Sequence, residues 1–295
     1  MKKHAYLILA HTNHHQLQQL INILDDEKND IFMHIDKKSQ LSPTLFKVTK
    51  SNLFFVPSVD VHWGNITIIE AEYQLFEAAI QSYHYAYYHL ISGMDLPLHS
   101  QNYIHNFFKK HEGLEFIGFG KKNWNIQERV FCHNFFMKKL RISNKLLRYF
   151  YKFLRILLNN IQIYFKLITP NKNYDAYRYG CEWCSVTDNF VRDLVADKNR
   201  ILSFYKYAYC PDEIYKQTFA LNSKYKNYIY DLDDEFHGCL REIDWKRGRP
   251  YTWKKVDYEY LVSSNKLFAR KFDEKVDREI IDLIITKIKN EESQS

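Results

Sequence analysis

Short apolar runs alternating with helical patterns over the first hundred residues constrain this chain more than any other feature. Ala5–Ala10, Ile31–Ile35, Leu53–Val56 and Tyr87–Ser92 are runs of strand length, and Gln16–Leu24 and Ile66–Tyr83 between them carry helical spacing. Parallel strands need helical crossovers, so the pattern predicts β-α-β units and an α/β fold. With 295 residues and 46% hydrophobic content the chain can bury a substantial core, and it reads as one domain over 1–295. The charged start Met1-Lys2-Lys3-His4 resembles that of an export signal, but the apolar run behind it stops at His11-Thr12-Asn13-His14-His15 and is too short for one. It reads as a buried first strand. No later stretch reaches the roughly 18 apolar residues of a membrane span, so a cytoplasmic location is expected.

Open α/β sheets collect ligands at the carboxyl ends of their strands. His11-Thr12-Asn13, Asp36-Lys37-Lys38, His62-Trp63-Gly64 and Ser92-Gly93-Met94-Asp95 fall just after the apolar runs and are polar or small. No GxGxxG follows the first strand and no GxxxxGK[ST] occurs, so phosphates bound here must be held in another way. Further along, Lys138, Lys139, Arg141, Lys145, Arg148, Lys152, Arg155, Lys166 and Lys172 lie in one stretch with no acid between them. They exceed the net charge of +7, which leaves the rest of the chain slightly acidic. The region 135–172 therefore reads as a basic, aromatic, helical insertion. After it the sequence predicts a strand over Glu182–Val186, one helix over Asn189–Phe204, a helix opened by Cys210-Pro211-Asp212-Glu213, and a last helix over Asp277–Lys289 with a fraying tail.

Five cysteines, an odd set, point to reduced thiols. Cys181 and Cys184 form a CxxC with no second pair and no nearby His pair, a weak zinc or redox signal. Pro211-Asp212-Glu213 has two readings: a proline and two acids suit the first turn of any helix, and a glutamate held at a helix start in a cleft can take a proton from a substrate hydroxyl. Asp231-Leu232-Asp233-Asp234 likewise reads either as a surface turn or as a DxD presenting oxygen ligands to Mn²⁺ or Mg²⁺.

Several separate segments, in order and nearly end to end, resemble the Core-2/I-branching β-1,6-N-acetylglucosaminyltransferase and peptide O-xylosyltransferase family, glycosyltransferase family 14. They are Ala5-Tyr6-Leu7-Ile8-Leu9-Ala10-His11, Met33-His34-Ile35-Asp36-Lys37-Lys38, Val61-His62-Trp63-Gly64, Ser92-Gly93-Met94-Asp95-Leu96-Pro97-Leu98, Gly180-Cys181-Glu182-Trp183, Pro211-Asp212-Glu213 and Leu267-Phe268-Ala269-Arg270-Lys271-Phe272-Asp273. The resemblance implies a GT-A-like fold, one nucleotide-sugar-binding domain with a central mixed sheet flanked by helices. It implies inverting transfer from a UDP-sugar, GlcNAc before xylose, to an acceptor hydroxyl without a metal cofactor.

By the same resemblance the catalytic base falls on Glu213. The uridine falls on the loop at His11 and on Asp36, the diphosphate-binding lysine on Lys271, and the acceptor-pocket aromatic on Trp245. Trp63, Asp95 and Trp183 are further candidates for the substrate pocket. Arg247, Arg249 and Arg270 complete a cationic cluster, and Arg247 and Arg249 compete for the second diphosphate contact, with Arg249 favoured. The serine that the family has beside the tryptophan is missing from His62-Trp63-Gly64. The partners expected are a UDP-sugar and a glycan or lipid-linked acceptor, in surface polysaccharide or glycan synthesis. Two alternatives stand beside this: a metal-dependent enzyme using Asp231 and Asp233, and a nucleic-acid-binding protein using the basic segment 138–172. In Phe135–Thr169, Leu146, Leu147, Phe150, Phe153, Leu154, Leu157, Leu158 and Ile161 recur at helical spacing among cations. The segment is expected either to lie on an anionic membrane surface on the cytoplasmic side or to pack its apolar side on the protein's own core.

Overall fold

Side chains alternate across a strand, and the first strand is apolar on both faces. The computed structural model describes residues 2–121, 125–168 and 176–293. In it β1 (His4–Ala10) sends Ala5 and Leu7 into one core and Tyr6, Ile8 and Ala10 into another. Strands β2 (Asn29–Ile35), β3 (Asn52–Phe55) and β4 (Tyr87–Ser92) extend the sheet in parallel. The short β6 (Phe116–Ile117) and β7 (Cys184–Thr187) complete it, β7 running antiparallel to both β4 and β6. The result is a six-stranded mixed sheet of order β3-β2-β1-β4-β7-β6.

Helices cover both faces. One core is closed by α1 (His14–Leu24), α3 (Gln101–Lys110), α9 (Tyr258–Val262) and α10 (Arg278–Ser293), through residues such as Leu20, Phe108, Leu261 and Ile284. The other is closed by α2 (Thr67–Ser82), α5 (Asp188–Ala196), α6 (Lys198–Tyr205) and α7 (Tyr215–Leu221), through Phe76, Phe190, Ile201 and Ala220. The expected α/β class with a central mixed sheet flanked by helices is thus present. Three details differ from expectation. The helix over 189–204 is two helices, broken at Asp197, whose N–H closes α5. The predicted tail at 290 stays helical to Ser293. A second sheet, foreseen by no apolar run, joins β5 (Asp95–Pro97), β9 (Phe268–Arg270) and β8 (Arg241–Ile243) in that order.

The basic insertion is built around α4 (Lys145–Tyr164), capped by Asn144, while Thr169–Lys172 lie outside the described residues. Only Asn159 of its 20 residues is buried. Its polar side faces the body: Arg155 and Asn159 both donate to Asn134 Oδ1 at 2.9 Å, and Gln162 exchanges bonds with the His133 backbone. Packing of the apolar side on the protein's core, one of the two sequence expectations, is therefore corrected. All five cysteines are free and buried. Among the described residues no helix is long and apolar enough to cross a membrane.

One buried ion pair fixes α7, and with it the Pro211–Glu213 turn, against α2. Lys216 Nζ donates to Glu72 Oε2 at 2.7 Å with neither side chain exposed, and the Tyr215 hydroxyl bonds the same oxygen. Removing one partner strands a charge in the core, which costs about 3–5 kcal/mol. Lys216→Ala is expected to lose about that much in urea unfolding, and Glu72→Leu/Lys216→Met to recover most of it. A loss below about 1 kcal/mol in the single variant refutes this.

Candidate active site

The loops after β1 and β2 are tied together at their start. The Asp36 N–H donates to the Ala10 carbonyl at 2.9 Å, and Ser39 Oγ to the His11 carbonyl at 2.9 Å. Lys38 reaches Asp36, Asp60 and the Val61 carbonyl, pinning the next loop to the same place. His11 lies within electrostatic reach of Asp36, Lys38, Arg270 and Lys271. Residues far apart in sequence thus form one polar rim at the carboxyl ends of β1 and β2.

The small sheet supplies the cations of that rim. Arg270 donates to Asp95 Oδ1 at 2.7 Å, touches Ser92 Oγ, and lies 4.7 Å over the Trp183 ring. Asp95, 1% exposed, also accepts the Ser92 N–H and hydroxyl. Asp95, a candidate for the substrate pocket, thus caps the Ser92 amide and forms an ion pair with Arg270. Trp183 is buried beneath the guanidinium. Lys271 follows, its backbone N–H donating to the Tyr251 carbonyl and its carbonyl accepting from the Trp253 N–H at 3.0 Å. Those bonds hold the 244–251 loop beside Lys271.

On that loop the two competing arginines separate. Arg247 is clamped between Asp244 and Asp257 and stacks 4.1 Å over Tyr251, so it serves the loop's own structure. The two carboxylates push its already high pKa higher. Arg249 projects from the same loop and is exposed, as is Trp245.

Glu213 ends a 3-10 turn, Pro211–Glu213, launched by Cys210 at φ 47°. Its carboxylate accepts from Arg129 Nη2 at 2.6 Å, and Arg129 also donates to the Tyr209 and Cys210 carbonyls. The Gly180 N–H donates to the Glu213 carbonyl at 2.8 Å. Burial, and then the neighbouring Asp212, push the Glu213 carboxyl up to about 7 against the opposing pull of Arg129. Glu182 lies within electrostatic reach of both groups, of Asp212 and Glu213 on the one hand and of Arg270 on the other. Burial, then Asp212, hold its carboxyl well above the usual range. Glu235, likewise raised to about 7 chiefly by burial, feels Glu213 as well.

The His62-Trp63-Gly64 turn abuts this group. Gly64 has φ +71°, its carbonyl accepts the Cys210 N–H at 2.8 Å, and a Cβ there would meet Cys210 Sγ at 3.1 Å. That accounts for glycine at this position. Trp63 is 42% exposed, with the Arg141 guanidinium 3.8 Å from its ring centre. Asp231 bonds the Asp233 and Asp234 amides with one oxygen and His237 with the other, while Asp234 caps α8 (Glu235–Gly238). The DxD is a turn and a helix cap. Sequence reasoning gave no role to Arg129, Glu182 or Asp212. Arg129 meets Glu213 across 84 residues and has no local signal, whereas Glu182 and Asp212 stood inside segments already singled out.

Compared with known proteins, the chain matches the family model described as Core-2/I-Branching enzyme over residues 4–270. Among solved structures, the apo form of mouse xyloside xylosyltransferase 1 is similar with 10% sequence identity, a TM-score of 0.39, and coverage of 91% of this chain and 97% of that one. No curated protein matches.

The Glu213 carboxyl is expected to titrate near pH 7 in NMR of the protein carrying ¹³C-labelled glutamate, the resonance being assigned by its loss in Glu213→Gln. Arg129 favours the charged form, so Arg129→Gln should move the midpoint upward. A midpoint in the ordinary glutamate range near 4.3, or a downward shift in the variant, contradicts the electrostatics described.

Proposed function

Because the chain belongs to the Core-2/I-branching enzyme family and is a glycosyltransferase, we propose that it moves a sugar from a UDP donor to a glycan hydroxyl with inversion, Glu213 acting as base. GlcNAc is the donor sugar favoured, then xylose, and the work is done in the cytoplasm. The observation that carries the reading is the Glu213 carboxylate held by Arg129 at 2.6 Å on the Pro211–Glu213 turn, its carboxyl raised to about 7 by burial. A base is most effective when its pKa lies near the working pH.

In this reading the acceptor hydroxyl attacks the anomeric carbon from the side opposite the diphosphate, its proton passes to Glu213, and the bond from carbon to the UDP oxygen breaks. The electron pair leaves with UDP, whose β-phosphate gains charge. Lys271 and Arg249 meet that charge in place of a metal, since fixed cations stabilise a developing anion without reorganising. His11 and Asp36 receive the uridine. Arg129, Asp95 and Trp183 act through others: Arg129 orients Glu213, and the other two orient Arg270. Trp63 and Trp245, exposed, offer stacking surfaces to the acceptor sugar. The nucleic-acid alternative is disfavoured by α4, whose outward face is largely apolar.

Glu213→Gln is expected to lower transfer by about 10²–10⁴-fold while UDP binding is kept, since the amide retains shape but takes no proton. Near wild-type turnover would remove Glu213 from the mechanism.

Activity is expected to persist in excess EDTA, and Lys271→Ala to weaken UDP affinity and turnover together, measured by calorimetry and by donor hydrolysis over a panel of UDP-sugars. Activity abolished by EDTA and restored by Mn²⁺ would disprove the cationic arrangement.

A further inference from the structure

Helix α4 is amphipathic in the inverted sense. A helix on the surface of a globular protein ordinarily turns its apolar stripe to the core. Here Arg155, Asn159 and Gln162 are bonded to the body, and the opposite stripe carries Leu146, Tyr149, Phe150, Phe153, Leu157 and Tyr164. Leu146 is 82% exposed, Phe153 60% and Tyr164 80%. Contiguous apolar surface of this kind marks an interaction face.

Charge identifies the occupant. Lys145 and Lys152 are exposed along the edge of the stripe, and Lys138, Lys139 and Lys166 stand exposed at its two ends. No acid occurs between Glu128 and Asp175. A second copy of the chain would bring like charges together across such a contact, whereas an anionic headgroup layer complements them. Tyrosines at the stripe's margin suit the boundary between headgroup and acyl chain. At 20 residues with Lys145, Arg148, Lys152 and Arg155 within it, the helix is too charged to span and is built to lie flat.

We propose that the outer face of α4 docks on an anionic lipid bilayer and thereby presents the active site to a membrane-borne acceptor. The inner side of α4 reaches the site directly. The Arg155 guanidinium lies 4.4 Å from the ring centre of Tyr209, which edges onto Trp63 and begins the turn to Glu213. Asn134, bonded to Arg155 and Asn159, also bonds the Arg129 carbonyl. One helix, about 10–12 Å across with its side chains, separates the headgroups from this turn. The docking face stands on its own observations; the statement about the acceptor rests on the transfer reading.

The test is co-sedimentation of the full chain with phosphatidylcholine vesicles, with and without phosphatidylglycerol. Binding is expected only with the anionic lipid, falling at least about tenfold between low salt and 0.5 M NaCl as the cations are screened. Phe153→Glu/Leu157→Glu should abolish it, and Lys145→Glu/Lys152→Glu should weaken it at least about tenfold, since each basic residue contributes roughly fivefold. Circular dichroism of both variants should match wild type, because the changed side chains are exposed. Protein that stays in the supernatant at low salt, or that binds neutral vesicles equally well, overturns the proposal. So does a dimer in solution that Phe153→Glu/Leu157→Glu splits, which would show a second copy on this face. Hydrolysis of UDP-GlcNAc should be the same in that variant as in wild type. If wild type turns over no UDP-sugar yet binds anionic vesicles, the transfer reading fails and the docking face stands.

Discussion

Arg241 holds the two sheets together. It is wholly buried on β8, and its guanidinium donates to the Cys239 carbonyl at 2.7 Å, the Cys184 carbonyl at 2.9 Å, and more weakly to Leu90 and Ser185. Leu90 and Cys184 face each other where β4 meets β7, at the junction between the parallel and antiparallel parts of the main sheet. Burying a guanidinium is costly unless its charge is met by acceptors; here both terminal nitrogens find them, and the Phe268 ring lies 4.3 Å from the guanidinium carbon. The small sheet therefore has little freedom of position. Asp95, Arg270 and Lys271 take their places from it, at the end of β4 where the main sheet opens.

The site that results brings two groups of charged side chains together. Lys38, Arg270 and Lys271 lie around the first two loops, and Glu213, Asp212 and Glu235 lie around the 3-10 turn, with Glu182 between. Burial raises Glu213, Glu182 and Glu235, Arg129 pulls Glu213 back and Arg270 pulls Glu182 back, and Glu213 is left at about 7.

The insertion shows that an amphipathic pattern can leave its own orientation open. Helical spacing over Leu146–Ile161 establishes two faces, and nothing in it says which face meets the protein. The decision comes from the buried Asn134, whose amide oxygen accepts from Arg155 and Asn159. Leaving that oxygen unpaired would cost its desolvation.

The sequence by itself determined the α/β class, the central strands and their helices, and the segments that converge on the site, because periodicity and strand-end position are local properties. Glu213, Asp36, His11, Arg270 and Lys271 were named as candidates in this way or through the family resemblance. Only the tertiary structure separated Arg247 from Arg249, moved Asp95 and Trp183 behind Arg270, made a turn of Asp231-Leu232-Asp233-Asp234, and brought Arg129 to Glu213. It also supplied the second sheet, whose three strands of three residues each carry too little pattern to register. The reason is common to all of these. Whether a charged side chain is available depends on partners supplied by distant segments, and burial sets how strongly those partners act.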